Sequence, residues 1–81
     1  MYKEKNMAIL DITATGFQIK ALLKEKGIKA KDIAEKLGFA SAYPVYKWMN
    51  GQTMPTLDNL VMLADLLDVK IDDVLVVKKP A

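Results

Sequence analysis

"AKDIAEKLGFASAYPVYKWMNG", residues 30–51, holds two short apolar repeats separated by a glycine-containing turn. Ile33, Ala34 and Leu37 fall on one face of a helix over 30–37, and Gly38 is its stop. "FAS" (39–41) turns the chain, and a second helix runs over 42–49, with Val45 and Trp48 three apart and Asn50-Gly51 closing it. Pro44 lies inside that second helix, where an interior proline would cost about 3 kcal/mol. With Ser41 as N-cap, Pro44 is the third helical residue, in the turn whose N–H groups have no intrahelical partner. The missing donor then breaks no ladder bond, and Ser41 is left with the Tyr43 N–H. Proline also biases Tyr43 away from helical angles, so a slightly distorted first turn is expected.

Outward from this core stretch, the same periodicity continues in both directions. Thr15 and Gln18 stand at capping-box spacing before a helix to Lys26, with Phe17, Ile19, Leu22 and Leu23 as apolar positions and Gly27 as its end. Downstream, Pro55-Thr56 starts a helix with Thr56 as N-cap, and Leu57, Leu60, Val61, Ala64 and Leu67 recur at helical spacing up to about Asp68. A last helical turn covers 72–75, where the adjacent carboxylates Asp72-Asp73 suit the positive end of a helix dipole better than a metal ion. "MAILDI" (7–12) reads as a short strand; "VLVVK" (74–78) is either its ribbon partner or an extended tail. Residues 1–6 read as a loose polar arm. The expected architecture is an all-α, compact four- to five-helix domain over 15–76, with a candidate terminal β-ribbon. An N-terminal arm (1–14) precedes it and a C-terminal tail (77–81) follows.

Composition narrows the function. The 81 residues are 52% hydrophobic with three prolines and four glycines, as in a packed globule. Residues 1–47 hold nine lysines against five acids and residues 48–81 three lysines against five acids, so a net charge of +2 conceals a basic front half. Such asymmetry fits a nucleic-acid-facing side, or two ordinary solvated faces. The chain has no histidine, cysteine or arginine. Without histidine, cysteine or a serine–base pair, the machinery of an enzyme is not expected, nor is a thiolate zinc site or any cofactor. No apolar run reaches the roughly 18–20 residues of a membrane span, and the start lacks a secretory signal, so a cytoplasmic protein without membrane contact is expected.

The two short helices around the Gly38 turn form a helix-turn-helix pattern. The string "GIKAKDIAEKLGFASAYPVYKWMNGQTMPTLDNLVMLADLLDVKIDDVL" (27–75) resembles the phage repressor and Cro type of helix-turn-helix domain. Ile33-Ala34, Leu37-Gly38, Trp48 before Asn50-Gly51, Pro55, Leu63-Ala64 and Ile71-Asp72-Asp73-Val74-Leu75 carry the likeness, which spans about residues 15–76. The resemblance implies a small transcriptional regulator of double-stranded DNA, with the third helix in the major groove, commonly as a dimer on a two-fold operator. By matching position, Ala42, Tyr43, Tyr46 and Lys47 would face bases. Lys29, Lys31, Ser41, Asn50 with the Gly51 backbone, Gln52 and Thr53 would meet phosphates, with Ala30 beside them.

The sequence departs from that pattern in four places. Long polar side chains common at the positions of Ala30, Ala42 and Tyr43 are missing. The absence of arginine removes the bidentate guanidinium–guanine contact and leaves Lys47 as the best direct reader. The turn from Gly38 to Val45 is one residue longer than in the commonest members. An arginine–glutamate pair frequent in the family is replaced by Leu23 and Met49, which are expected to touch, because exchanging both partners for apolar groups strands no charge. Trp48 is expected in the core, Tyr46 reads equally as packing or as a DNA contact, and Lys20, Lys24 and Lys36 read most simply as solvated. Met62 and Leu66, pointing away from the main stripe, offer a homodimer surface together with the C-terminal segment. The competing reading is a helix-turn-helix-derived protein–protein interaction module with weak or no DNA binding, which the apolar tip Ala42-Tyr43-Pro44 would suit.

Overall fold

The computed structural model describes residues 7–79, so the reading of residues 1–6 as a loose arm lies outside the described residues. Strand β1 (Ile9–Leu10) leads into helix α1 (Ile12–Lys26). Helices α2 (Ala30–Leu37), α3 (Tyr43–Met49), α4 (Leu57–Leu67) and α5 (Ile71–Val74) follow, and strand β2 (Val77–Lys78) closes the chain. The two strands pair antiparallel, Ile9 opposite Lys78 and Leu10 opposite Val77, which decides the ribbon over the tail.

Helix α1 begins four residues earlier than its sequence suggests. Asp11 is the N-cap, its carboxylate accepting the Ala14 N–H at 2.9 Å. The expected capping box is therefore absent, and both of its residues bond to the C-terminal segment instead. Thr15 is fully buried; its Oγ1 accepts the Val76 N–H at 2.9 Å and donates to the Val76 carbonyl at 3.3 Å. Gln18 donates from Nε2 to the Asp73 carbonyl at 2.7 Å. The Val76 carbonyl also accepts the Asp11 N–H at 2.8 Å, so the end of the chain is clasped to the start of α1. The buried face of α1 is Thr15, Gly16, Ile19, Leu22 and Leu23, and Phe17 is 65% exposed, contrary to its expected inward role.

Helix α2 and helix α4 match their expected limits, with the Thr56 hydroxyl accepting the Asn59 N–H at 3.2 Å. The inward face of α4 differs: Leu60, Leu63, Ala64 and Leu67 are buried, while Leu57 and Val61 are 72% and 51% exposed. Leu60 and Leu67 are seven apart with Leu63 and Ala64 between them, a tighter stripe than one including Leu57 and Val61. Met62 is exposed, as expected, but Leu66 is half-buried against the core beside α2. Helix α5 lies one residue earlier than expected at both ends; the Asp73 carboxylate accepts the Lys70 N–H at 3.0 Å, and Asp72 and Asp73 occupy its first turn.

Three helices end alike. At Gly27, Gly38 and Asp68 the backbone is left-handed, and the next residue sends its N–H back five residues: Ile28 to Leu23, Phe39 to Ala34, Val69 to Ala64. Each such turn tucks an apolar residue, Ile28, Phe39 or Val69, against the core. The core itself is built from Ile19, Ile33, Val45, Leu63, Leu67 and Val74, each almost fully buried. Among the described residues every buried side-chain nitrogen or oxygen has a hydrogen-bond partner.

Gly16 is the tightest point. A Cβ there would stand 2.5 Å from the Trp48 carbonyl oxygen, 2.8 Å from that of Met49 and 2.9 Å from the Gly51 nitrogen, all backbone atoms. An ordinary helical Gly→Ala change stabilises by about 0.5–1 kcal/mol. Gly16→Ala is expected instead to destabilise by about 1–3 kcal/mol, because α3 must move away. Asp68→Gly is expected to stabilise by about 0.5–1 kcal/mol, by relieving a left-handed side chain. Urea unfolding midpoints of the two variants check both signs.

Candidate nucleic-acid interface

Helix α3 is held from behind. Val45 and Trp48 are buried, and the Trp48 ring meets Phe39 edge to face at 5.8 Å between centroids and 71° between planes. Sequence spacing anticipated Trp48 in the core but not Phe39 as its partner; the cap at Gly38 is what aims Phe39 inward. The C-terminal end of α3 abuts Gly16. With that face fixed, Tyr43, Tyr46 and Lys47 are presented outward.

The entry to α3 carries the proline with little damage. The helix starts at Tyr43, one residue later than expected, and Pro44 is its second residue. Ala42, not Ser41, takes the cap position, with a turned backbone (φ −80°, ψ −2°) where a cap is ordinarily extended. Ser41 Oγ nevertheless accepts the Tyr43 N–H at 3.3 Å, the bond left to it by Pro44.

Among the base-facing candidates, Tyr43 is 66% and Tyr46 51% exposed. Lys47 is half-buried because its ammonium lies over the Tyr43 ring, 5.3 Å from the centroid. Its charge is thus drawn one turn toward the front tip of the helix. Ala42 is half-buried against the core, the most withdrawn of the four.

Among the phosphate candidates, Lys29, Lys31, Ser41, Asn50 and Gln52 are exposed, and Thr53 is half-buried. Tyr46 stands as a ridge between two shallow depressions. One of about 380 Å³ lies toward Lys31, Ser41 and Ala42; the other, of about 300 Å³, lies toward Lys29, Ala30, Leu23 and Met49. Leu23 and Met49 line this second depression together. In the turn after α3, the Asn50 N–H goes to the Tyr46 carbonyl (2.9 Å), Gly51 to Trp48 (3.0 Å) and Gln52 to Lys47 (2.9 Å). These backbone donors are already committed. Gly51, at φ +73° and with a Cβ position 3.0 Å from the Thr13 Cα, serves the close approach of α1, and the side chains of Asn50 and Gln52 remain free to donate outward.

Lys20 and Lys24 also line the second depression, beside Tyr46. Their spacing of four on α1, flanking Leu23, was visible in the sequence; the docking of α3 against that face was not. Among the described residues no group of three or more Asp, Glu, His or Cys could hold a metal ion, and no helix is long and apolar enough to cross a membrane.

Comparison with known proteins gives a consistent result. The chain is similar to the restriction-modification controller protein C.AhdI from Aeromonas hydrophila, at 25% identity and a TM-score of 0.71, over 79% of this chain and 96% of that one. It is also similar to a protein from Bacteroides fragilis assigned to DNA binding, at 28% identity and a TM-score of 0.69, over 86% and 100%. The DNA-binding domain of BldD from S. venezulae shares the fold, at 23% identity and a TM-score of 0.67, over 80% and 96%. No curated protein matches the chain. A family described as helix-turn-helix matches residues 19–74, from the middle of α1 to the end of α5. The chain therefore belongs to the helix-turn-helix family of the XRE type, whose members are DNA-binding regulators.

Proposed function

We propose that α3 enters the major groove of double-stranded DNA with its front tip leading, Tyr43, Tyr46, Lys47 and Ala42 toward base edges. Lys29, Lys31, Ser41, Asn50, Gln52 and Thr53 then lie toward phosphates. The observation that carries this reading is a helix locked along one side by Val45 and Trp48, whose opposite side offers two open tyrosines and a cation. An α-helix fits the major groove, where apolar and aromatic contacts recognise thymine methyls and a lysine recognises guanine acceptors. With no arginine to make a forked contact, specificity rests on Lys47, on tyrosine packing and on groove shape. The chain would act as a small cytoplasmic transcriptional regulator.

A homodimer on a two-fold operator fits this role, because one copy presents few base contacts. Met62 on α4 and the exposed Val77 of β2 are the candidate surfaces, with Leu66 contributing less because the core already covers part of it. The apolar Tyr43-Pro44 tip and the Tyr43–Lys47 contact equally suit a module that docks on another protein.

Duplex binding at low salt, with affinity falling steeply as salt rises, is the expected outcome in fluorescence anisotropy. Lys47→Ala is expected to weaken binding to a selected site by about 1–3 kcal/mol. No duplex binding at low salt, with Lys47→Ala indistinguishable from the parent, would favour the protein-docking reading. Selection from random duplexes reports half-site symmetry in the same experiment. For the Tyr43–Lys47 pair, a double-mutant cycle with Tyr43→Leu and Lys47→Met, followed by urea unfolding, is expected to give a coupling of about 0.5–1 kcal/mol.

A further inference from the structure

Lys20 and Lys24 stand one turn apart on the exposed side of α1, and Lys29 begins α2 beside them. All three line the depression of about 300 Å³ that Tyr46 bounds on the α3 side. Its floor is apolar, formed by Leu23, Ile28 and Met49, and no acidic side chain lines it. Three lysines thus line one depression to which, among the described residues, no acidic side chain contributes. The apolar floor also supplies no donors with which to close around one small anion. What suits this arrangement is a row of phosphates passing across the opening, each met by a lysine swinging on its flexible stem.

We propose that Lys20 and Lys24, with Lys29, form a track for the sugar–phosphate backbone of the duplex beside the groove that α3 enters. The assignment rests on the reading of α3 as the groove helix, since Tyr46 joins the two surfaces. It also accounts for the apolar Leu23 at a position where the family resemblance leads one to expect arginine. The positive charge is moved from the centre of the surface to its rim, where it is not buried and needs no acidic partner. The Lys29 contact is thereby extended by a full helix, and the two α1 lysines become part of the interface.

Salt titration of duplex affinity tests the track. Anisotropy of a labelled duplex is measured over a series of KCl concentrations for the parent chain, for the double variant Lys20→Gln/Lys24→Gln, and for Lys36→Gln. Lys36 is an equally exposed lysine that lines a different depression with Leu66 and Asp32, so it controls for net charge alone. Each phosphate contact contributes about 0.9 to the slope of log affinity against log salt. The double variant should therefore lose about 1.8 from that slope, with Lys36→Gln superimposing on the parent. A double variant with the parental slope would overturn the track, as would an equal loss per lysine in Lys36→Gln. Failure of the parent chain itself to bind duplex would overturn the groove reading, and the track with it.

Discussion

The contact between Gly16 and the end of α3 governs the rest of the molecule. The backbone of α1 lies so close to the Trp48 and Met49 carbonyls and the Gly51 nitrogen that no Cβ fits between them. Two backbones in van der Waals contact leave no side chain to adjust, so the angle of α3 is fixed by main-chain geometry. Gly51 meets Thr13 in the same way on the other side of the joint. Trp48, pressed against Phe39 and the core, then holds α3 from rotating. The placement of α3 in so small a domain rests on this backbone joint.

The three left-handed caps do complementary work. Each ends a helix, reverses the chain and drives an apolar residue into the core within two positions. With 81 residues there is little core to share, and Ile28, Phe39 and Val69 turn connecting segments into packing. The clasp of Val76 on Thr15 and Asp11 extends the same economy to the chain ends, since a two-residue ribbon would have little stability of its own.

The outward side of α3 differs in its chemistry from what the family resemblance leads one to expect. Ala42 and Tyr43 stand where the family resemblance leads one to expect long polar side chains, and the Lys47 ammonium lies over the Tyr43 ring toward the helix tip. Such a surface is richer in apolar and aromatic area than in forked donors. Positive charge beside α3 comes from lysines of α1 and α2, Lys20, Lys24 and Lys29, in a chain without arginine.

By itself, the sequence determined the order of the helices, the limits of α2 and α4, and the cap roles of Gly27, Gly38 and Thr56, and left their number at four or five. These are local properties: periodicity, turn chemistry and capping act over four or five residues. The Ser41 bond to the Tyr43 N–H was legible for the same reason, although the cap position itself fell to Ala42, and the family resemblance supplied the third helix as the one to watch. The Asp11 cap that starts α1 is local, and the sequence reading passed it over for Thr15. Tertiary structure decided the inward face of α1, because the Thr15 hydroxyl is taken by Val76 across 61 residues. It decided that Leu57, Val61 and Phe17 face outward, since an apolar residue's direction follows the docking of its helix and not its hydrophobicity. It also brought Lys20 and Lys24 beside Tyr46. Two segments distant in sequence can share a surface only once the backbone contact at Gly16 has set the angle between their helices.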